Sequence, residues 1–228
     1  MIPSPFGEKG REFTFLATRA LGWQNAQVTH GGPVGFDLDM TLIDSRPAIM
    51  AAFAELARET STAIDLAEVD RRLGIKLEDE VAFWFPPGQQ AEAVACYRRH
   101  YVRLAPGLTT IMPGAHEAVA AVRAAGERVV IITAKHSVSV EPSLRAVGLT
   151  ADEVFTHVHG PEKAAVLKAL HAAAYVGDSP PDMAAAVQAG ARGVGVTTGS
   201  FSRGELARAG ADVVLDSLAD FPAWYADA

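Results

Sequence analysis

The segment Val34-Gly35-Phe36-Asp37-Leu38-Asp39-Met40-Thr41-Leu42-Ile43-Asp44-Ser45 decides how this chain is read, because it sets two aspartates two residues apart where an apolar strand ends. In extended backbone, side chains at i and i+2 leave the same face, so Asp37 and Asp39 can point into one pocket. Two carboxylates crowded together repel each other unless a cation or a proton intervenes. Either remedy is useful chemistry. A metal leaves one carboxylate free as a nucleophile, and a raised pKa leaves the other able to shuttle a proton.

Three further segments extend this reading. Tyr175-Val176-Gly177-Asp178-Ser179-Pro180-Pro181-Asp182 repeats the design of a short apolar run, a glycine and then aspartates. Val129-Val130-Ile131-Ile132-Thr133-Ala134-Lys135 is a buried-type strand ending in a hydroxyl, and Gly160-Pro161-Glu162-Lys163 puts a lysine in a first helical turn. Singly, each has an ordinary explanation. Asp-x-Asp can be a solvated loop or a helix cap, Asp178 an N-cap before prolines, Lys163 a surface lysine and Thr133 a β-branched strand residue. Jointly, polar residues terminate three separate apolar strands on one edge.

In this order the four segments resemble the four motifs of the haloacid dehalogenase superfamily, specifically its phosphoglycolate phosphatase-like branch, over residues 33 to 216. The resemblance implies that Asp37 is the nucleophile that takes the phosphoryl group as an aspartyl phosphate. Asp39 is then the general acid and base. Thr133, with the backbone beside it at Ala134 and Lys135, binds the phosphate oxygens together with Thr41, and Lys163 neutralises charge on the phosphate and on Asp37. Mg2+ is implied as the cofactor, held by Asp37, Asp178 and the main-chain carbonyl of Asp39, with Asp182 orienting Asp178 or a metal-bound water.

Composition fits a soluble enzyme. The chain has 228 residues, enough for one substantial core plus an inserted module. A formal net charge of -7 argues against a nucleic-acid or anionic-membrane surface. Cys96 is the only cysteine, which favours a reducing compartment and hence a cytoplasmic location. No apolar run reaches membrane-spanning length, and the short run Phe13-Thr14-Phe15-Leu16-Ala17 does not make a convincing signal peptide. The expected partner is a small phosphorylated metabolite, with the chain a monomer or homodimer.

Apolar runs alternate with helical patterns through the second half. Strands are expected at 129–132, 154–155, 175–176, 194–196 and 213–215, with helices near 138–147, 162–172, 181–189 and 203–209. Gly148, Gly190 and Gly210 stand where C-terminal caps belong. This rhythm predicts an α/β fold, a doubly wound, Rossmann-like parallel sheet, with its ligand outside the carboxyl ends of the strands.

About seventy residues separate Leu42 from the next core helix near Pro113, where a connection of about two to six is usual. The excess is helical in pattern, over 48–58, 66–73, 77–85 and 89–104. The resemblance identifies it as an inserted α-helical cap. The expected organisation is an N-terminal extension at 1–32, a core at 33–45 and 110–228, and a cap at 46–109. Within the cap, Arg71, Arg72 and Lys76 could meet an anionic substrate tail or form a solvated helix end. Phe83-Trp84-Phe85 reads as cap core or a cap-to-core seal, and Arg98, Arg99 and Arg103 as a wet helix face. In the core, His157-Val158-His159 puts two imidazoles on one side of a strand, a metal pair that the lack of a thiolate or third histidine nearby disfavours.

Three features depart from the family pattern. Met40 occupies a place where a small residue is usual, Pro180-Pro181 stiffens the last motif, and the first thirty or so residues have no counterpart in the minimal fold. Phe13, Leu16, Ala17 and Ala20 fall at helical spacing, which favours an extra helix near 11–21 over an oligomer contact or a disordered leader. The alternatives to a phosphomonoester hydrolase are a phosphoglucomutase-like phosphotransferase and a non-catalytic phosphate- or metal-binding regulatory protein. A dehalogenase is disfavoured by the acidic residue at 39, and a phosphonate hydrolase would need a cap lysine, of which Lys76 is the single candidate.

Overall fold

A computed structural model describes residues 31–227. The helix expected near 11–21 lies outside the described residues. In chain order the elements are β1 (Val34–Phe36), β2 (Ile43–Asp44), α1 (Arg46–Thr60), α2 (Leu66–Arg71), α3 (Leu77–Trp84), α4 (Gln90–Leu108), β3 (Thr110–Ile111), α5 (Ala115–Ala124) and β4 (Val129–Ile132). They continue with α6 (Ser137–Val147), β5 (Glu153–Phe155), α7 (Pro161–Leu170), β6 (Ala174–Gly177), α8 (Pro180–Ala189), β7 (Arg192–Val196), α9 (Arg203–Arg208), β8 (Val213–Leu215) and α10 (Phe221–Ala226).

Six strands form one parallel sheet in the order β5-β4-β1-β6-β7-β8. The two-residue period of a strand distributes its side chains between two helical layers. Val129 and Ile131 of β4 join a cluster with Ala118 and Val122 of α5, Val140 of α6 and Phe221 of α10. Val130 and Ile132 join the opposite cluster, with Ala164 and Leu167 of α7 and Ala185 and Ala186 of α8. β4 is therefore apolar on both faces, as a sheet covered on both sides requires. Because β1 lies between β4 and β6, the chain winds away from β1 in both directions, and a crevice opens where it does so.

The long first crossover leaves and re-enters the core through a two-stranded antiparallel ribbon, in which Ile43 pairs with Ile111 and Asp44 with Thr110. Beyond the ribbon, α1 to α4 have an apolar cluster of their own, built on Ala52, Phe53, Leu56, Val69, Val81, Phe85, Tyr97 and Tyr101. Most helix ends fall within two residues of expectation, and the widest departure is at α4, which continues past Leu104 to Leu108. Pro106 removes one hydrogen bond, but Thr109 N still donates to Ala105 O at 2.9 Å and closes the last turn.

Residues 156–159 are a second correction, because the strand ends at Phe155 and His157 adopts a left-handed φ of 60°. The two histidines of that segment are therefore not strand neighbours. Among the described residues, no helix is long and apolar enough to cross a membrane.

Candidate active site

Three strands deliver side chains to the crevice from their carboxyl ends. Asp37 follows β1, and its N–H donates to Val176 O at 2.8 Å, which fixes it against the neighbouring strand. Thr133 follows β4 and Asp178 follows β6. Lys163 is the third residue of α7, and Asp182 is the third residue of α8. A Cβ on Gly177 would stand 2.5 Å from the Cβ of Asp182, so only glycine lets the first turn of α8 lie this close to β6.

Lys163 is buried and donates from Nζ to Asp37 Oδ1 at 2.9 Å and to Asp182 Oδ1 at 2.6 Å. Asp182 also accepts the Ser179 hydroxyl at 2.5 Å. Thr41, fully buried, donates to Asp178 Oδ1 at 3.2 Å. Asp39 stands slightly apart, its Oδ1 accepting from Ser45 Oγ and from Lys135 Nζ, both at 2.5 Å. Lys135 lies 4.5 Å from the ring of Tyr101 on α4.

Carboxylate oxygens of Asp37, Asp178 and Asp182 all lie within 4.8 Å of one another. Burial pushes the Asp37 carboxyl up to about 7, with Lys163 opposing and Asp182 and Asp39 adding to the rise. Burial, then the charges of Asp182 and Asp37, likewise raise Asp178 well above the carboxylate range. Lys163 is pulled down by burial, but Asp182 and Asp37 outweigh this and hold it ionised. Three carboxylates thus face one ammonium, a deficit of two positive charges that a divalent cation would balance. The donors are all hard oxygens, the class preferred by Mg2+. The residues present fit such an ion.

The cluster forms the floor of a cleft of about 710 Å³ whose opposite wall comes from α1 to α4. Thr133, Ala134, Lys135 and Lys163 line it, as do Phe53, Tyr97 and Tyr101 of the helical segment. Thr41 is turned toward Asp178 instead. Of the basic residues noted beyond the motifs, Arg72 pairs with the buried Glu80 at 2.7 Å and Arg98 with Glu78 at 2.6 Å. Both line the cleft, together with Lys76. Arg71, Arg99 and Arg103 are exposed and paired with glutamates, as a wet helix face would be. Phe85 and Trp84 pack into the helical cluster, whereas Phe83 is exposed beneath Arg72. His157 meets the ring of His136 edge-on at 3.9 Å. Burial, then Arg98 and His157, lowers His136 to about 4. Neither His157 nor His159 joins a cation-ligand cluster among the described residues.

Sequence reasoning missed Ser45, Tyr101, Thr198 and Gly199. Ser45 precedes α1 as a helix cap would, yet its hydroxyl makes no cap bond because it is bonded to Asp39. Thr198 Oγ1 donates to Met40 O at 2.5 Å, which ties the loop after β7 to the turn after Asp37. That turn explains the departure at Met40, whose φ of 60° is a conformation in which glycine is free of strain.

The comparisons with known proteins agree with this geometry. The haloacid dehalogenase-like hydrolase family model matches residues 34–196. A phosphoglycolate phosphatase of Cupriavidus necator is 33% identical over 207 residues, covering 82% of this chain and 90% of that protein. One from Cereibacter sphaeroides is 34% identical over 180 residues, covering 70% and 82%. Among solved structures, a predicted phosphoglycolate phosphatase from Haemophilus somnus superposes with a TM-score of 0.76 at 21% identity, covering 87% of this chain and all of that one. CbbY from Rhodobacter sphaeroides, solved in complex with phosphate, gives 0.71 at 23%, covering 83% and 96%. At such identities the structural likeness speaks for the fold, and the sequence matches carry the assignment. The chain belongs to the haloacid dehalogenase-like hydrolase family and is a phosphatase of its phosphoglycolate phosphatase-like branch.

Proposed function

We propose that this chain is a magnesium-dependent phosphomonoester hydrolase acting on small phosphorylated metabolites of the phosphoglycolate kind, through an aspartyl phosphate on Asp37. The observation that carries the proposal is the convergence of Asp37, Asp178 and Asp182 around Lys163, with Asp39 beside them, at the carboxyl ends of adjacent strands. Asp37, Asp178 and the main-chain carbonyl of Asp39 would hold Mg2+. When bound, the ion keeps Asp37 ionised and neutralises phosphate charge.

In the first step an Asp37 carboxylate oxygen attacks phosphorus, the ester P–O bond breaks, and Asp39 gives its proton to the departing oxygen. Thr133 and the amides beside it donate to the phosphate oxygens, and Lys163 balances the charge that accumulates there. In the second step Asp39 takes a proton from water, the water oxygen bonds to phosphorus, and the bond to Asp37 breaks. Inorganic phosphate leaves, and both aspartates return to their starting states. Asp182 keeps Lys163 directed at Asp37 from the far side.

The helical segment 46–109 serves in this reading as a cap over the cleft, excluding bulk water while the acyl phosphate exists. Its separate apolar cluster and two-stranded stem support that role. A cytoplasmic setting agrees with the single buried cysteine. The test is hydrolysis of p-nitrophenyl phosphate, expected to require Mg2+ and to vanish in Asp37→Asn. Undiminished turnover in that variant would remove Asp37 as the nucleophile.

A further inference from the structure

Two lysines reach the acidic site, and they are engaged differently. Lys163 stands between Asp37 and Asp182. Lys135 lies against Asp39 alone, its Nζ 2.5 Å from Oδ1 and its side chain 8% exposed. The underside of its ammonium faces the Tyr101 ring at 4.5 Å. The backbone that carries it is pinned as well, because Lys135 N donates to Thr133 Oγ1 at 3.2 Å and Lys135 O accepts from His157 N at 3.1 Å.

Ser45 Oγ, six residues further along the chain and just before α1, donates to the same Asp39 oxygen at 2.5 Å. Two donors on Oδ1 fix the plane of the carboxylate and leave Oδ2 to carry the proton. A general acid must come within about 2.6–3.2 Å of the oxygen it protonates, so a carboxylate free to rotate would rarely be in place. One N–H of the ammonium goes to the Asp39 oxygen and the Tyr101 ring closes another side, so both contacts hold Lys135 against Asp39.

We propose that Lys135 is a positioning residue for Asp39, holding the carboxyl that exchanges protons with leaving group and water, and is not a ligand of the substrate phosphate. This rests on the phosphatase reading given above. Tyr101 belongs to α4, so the support for Asp39 is assembled from both the sheet and the helical segment.

The experiment compares the first turnover of p-nitrophenyl phosphate, whose leaving group departs without a proton, with that of an alkyl phosphate such as 2-phosphoglycolate. In Lys135→Met the aryl burst should stay within about threefold of the parent, while phosphorylation by the alkyl ester should fall about 10²-fold. Steady-state kcat should fall for both esters, because water attack also needs Asp39; for the aryl ester KM should fall in step, so that its kcat/KM stays near the parent's. The affinity for inorganic phosphate, read by calorimetry, should be unaltered. Lys135→Arg should restore much of the alkyl rate.

A parallel fall in aryl burst and phosphate affinity would overturn the proposal and make Lys135 a substrate ligand. An unchanged alkyl rate would overturn it too. If Lys135→Met lacks a cooperative melt, Lys135→Gln carries the same comparison against Lys135→Arg. A parent enzyme that releases neither p-nitrophenol nor phosphate would instead defeat the phosphatase reading itself.

Discussion

Gly199 illustrates how a residue without chemistry of its own can govern the acidic cluster. A Cβ at this position would stand 1.8 Å from Asp178 Oδ2 and 2.7 Å from its Cγ, where ordinary contact begins near 3.4 Å. In Gly199→Ala the carboxylate must therefore retreat by about 1.6 Å, or the loop after β7 must lift. Retreat is restricted, because Asp178 is hydrogen-bonded to Thr41 and faces Asp37 and Asp182. The loop is restricted too, by the Thr198 bond to Met40 O. The backbone at Gly199 lies outside the left-handed range, so alanine brings no conformational strain of its own. A displacement of an ångström or more costs about 10²-fold in rate. Disturbing a ligand's support typically weakens metal binding by about 10- to 100-fold. We expect Gly199→Ala to lose about that much kcat and Mg2+ affinity, with stability lowered by no more than about 3 kcal/mol. Calorimetric Mg2+ titration, steady-state kinetics and urea melts measure the three quantities. A well-folded variant with parental kcat and Mg2+ affinity would refute the reasoning.

Other perturbations follow from the same contacts. Glu80→Ala removes the acceptor of both Arg72 Nε at 2.7 Å and Trp84 Nε1 at 2.8 Å, and should cost about 3 kcal/mol in urea unfolding; a loss under about 0.5 kcal/mol would contradict this. Lys163→Met leaves the three carboxylates without their ammonium. It should destabilise the metal-free protein by about 3–5 kcal/mol, and added Mg2+ should raise its Tm more than it raises the parent's; equal rises would count against the account. His136 sits at about 4 in the folded chain against an ordinary 6.5, so as pH falls the unfolded chain takes the proton first. Its contribution to stability is complete above 6.5 and is lost as pH falls through 4. The urea midpoint of His136→Gln should therefore fall less between pH 7 and pH 4.5 than the parent's does, and equal falls would show that His136 is not responsible.

What could be read in the chain before its structure depended on how local the cause was. Asp37, Thr133 and Asp178 announce themselves because an apolar run that stops at a polar residue is a local pattern, and a parallel sheet brings such ends to one edge. The core strands were legible for the same reason, since β1, β4 and β6 are buried on both faces and read as unbroken apolar runs. α10 was not, because six residues are too few to display a helical period, although Phe221 is completely buried. The extent of α4 was misjudged because Pro106 looks like a stop signal and is tolerated in a last turn. Gly199 and Tyr101 left no trace in the sequence around them. Their importance arises from approaches between segments far apart in the chain, to Asp178 and Lys135 respectively. Lys135 was visible as a cation beside Thr133, but the aspartate it meets, 96 positions away, was not.

The central claim is that Asp37 carries the phosphoryl group during turnover. Quenching the enzyme with substrate and Mg2+ in the steady state, reducing it with borohydride and mapping its peptides tests this directly, because reduction turns an aspartyl phosphate into homoserine. The account predicts homoserine at position 37 and at no other aspartate, only when substrate is present. Homoserine at a different aspartate, or an unmodified Asp37 in enzyme quenched while releasing phosphate at full rate, would contradict it.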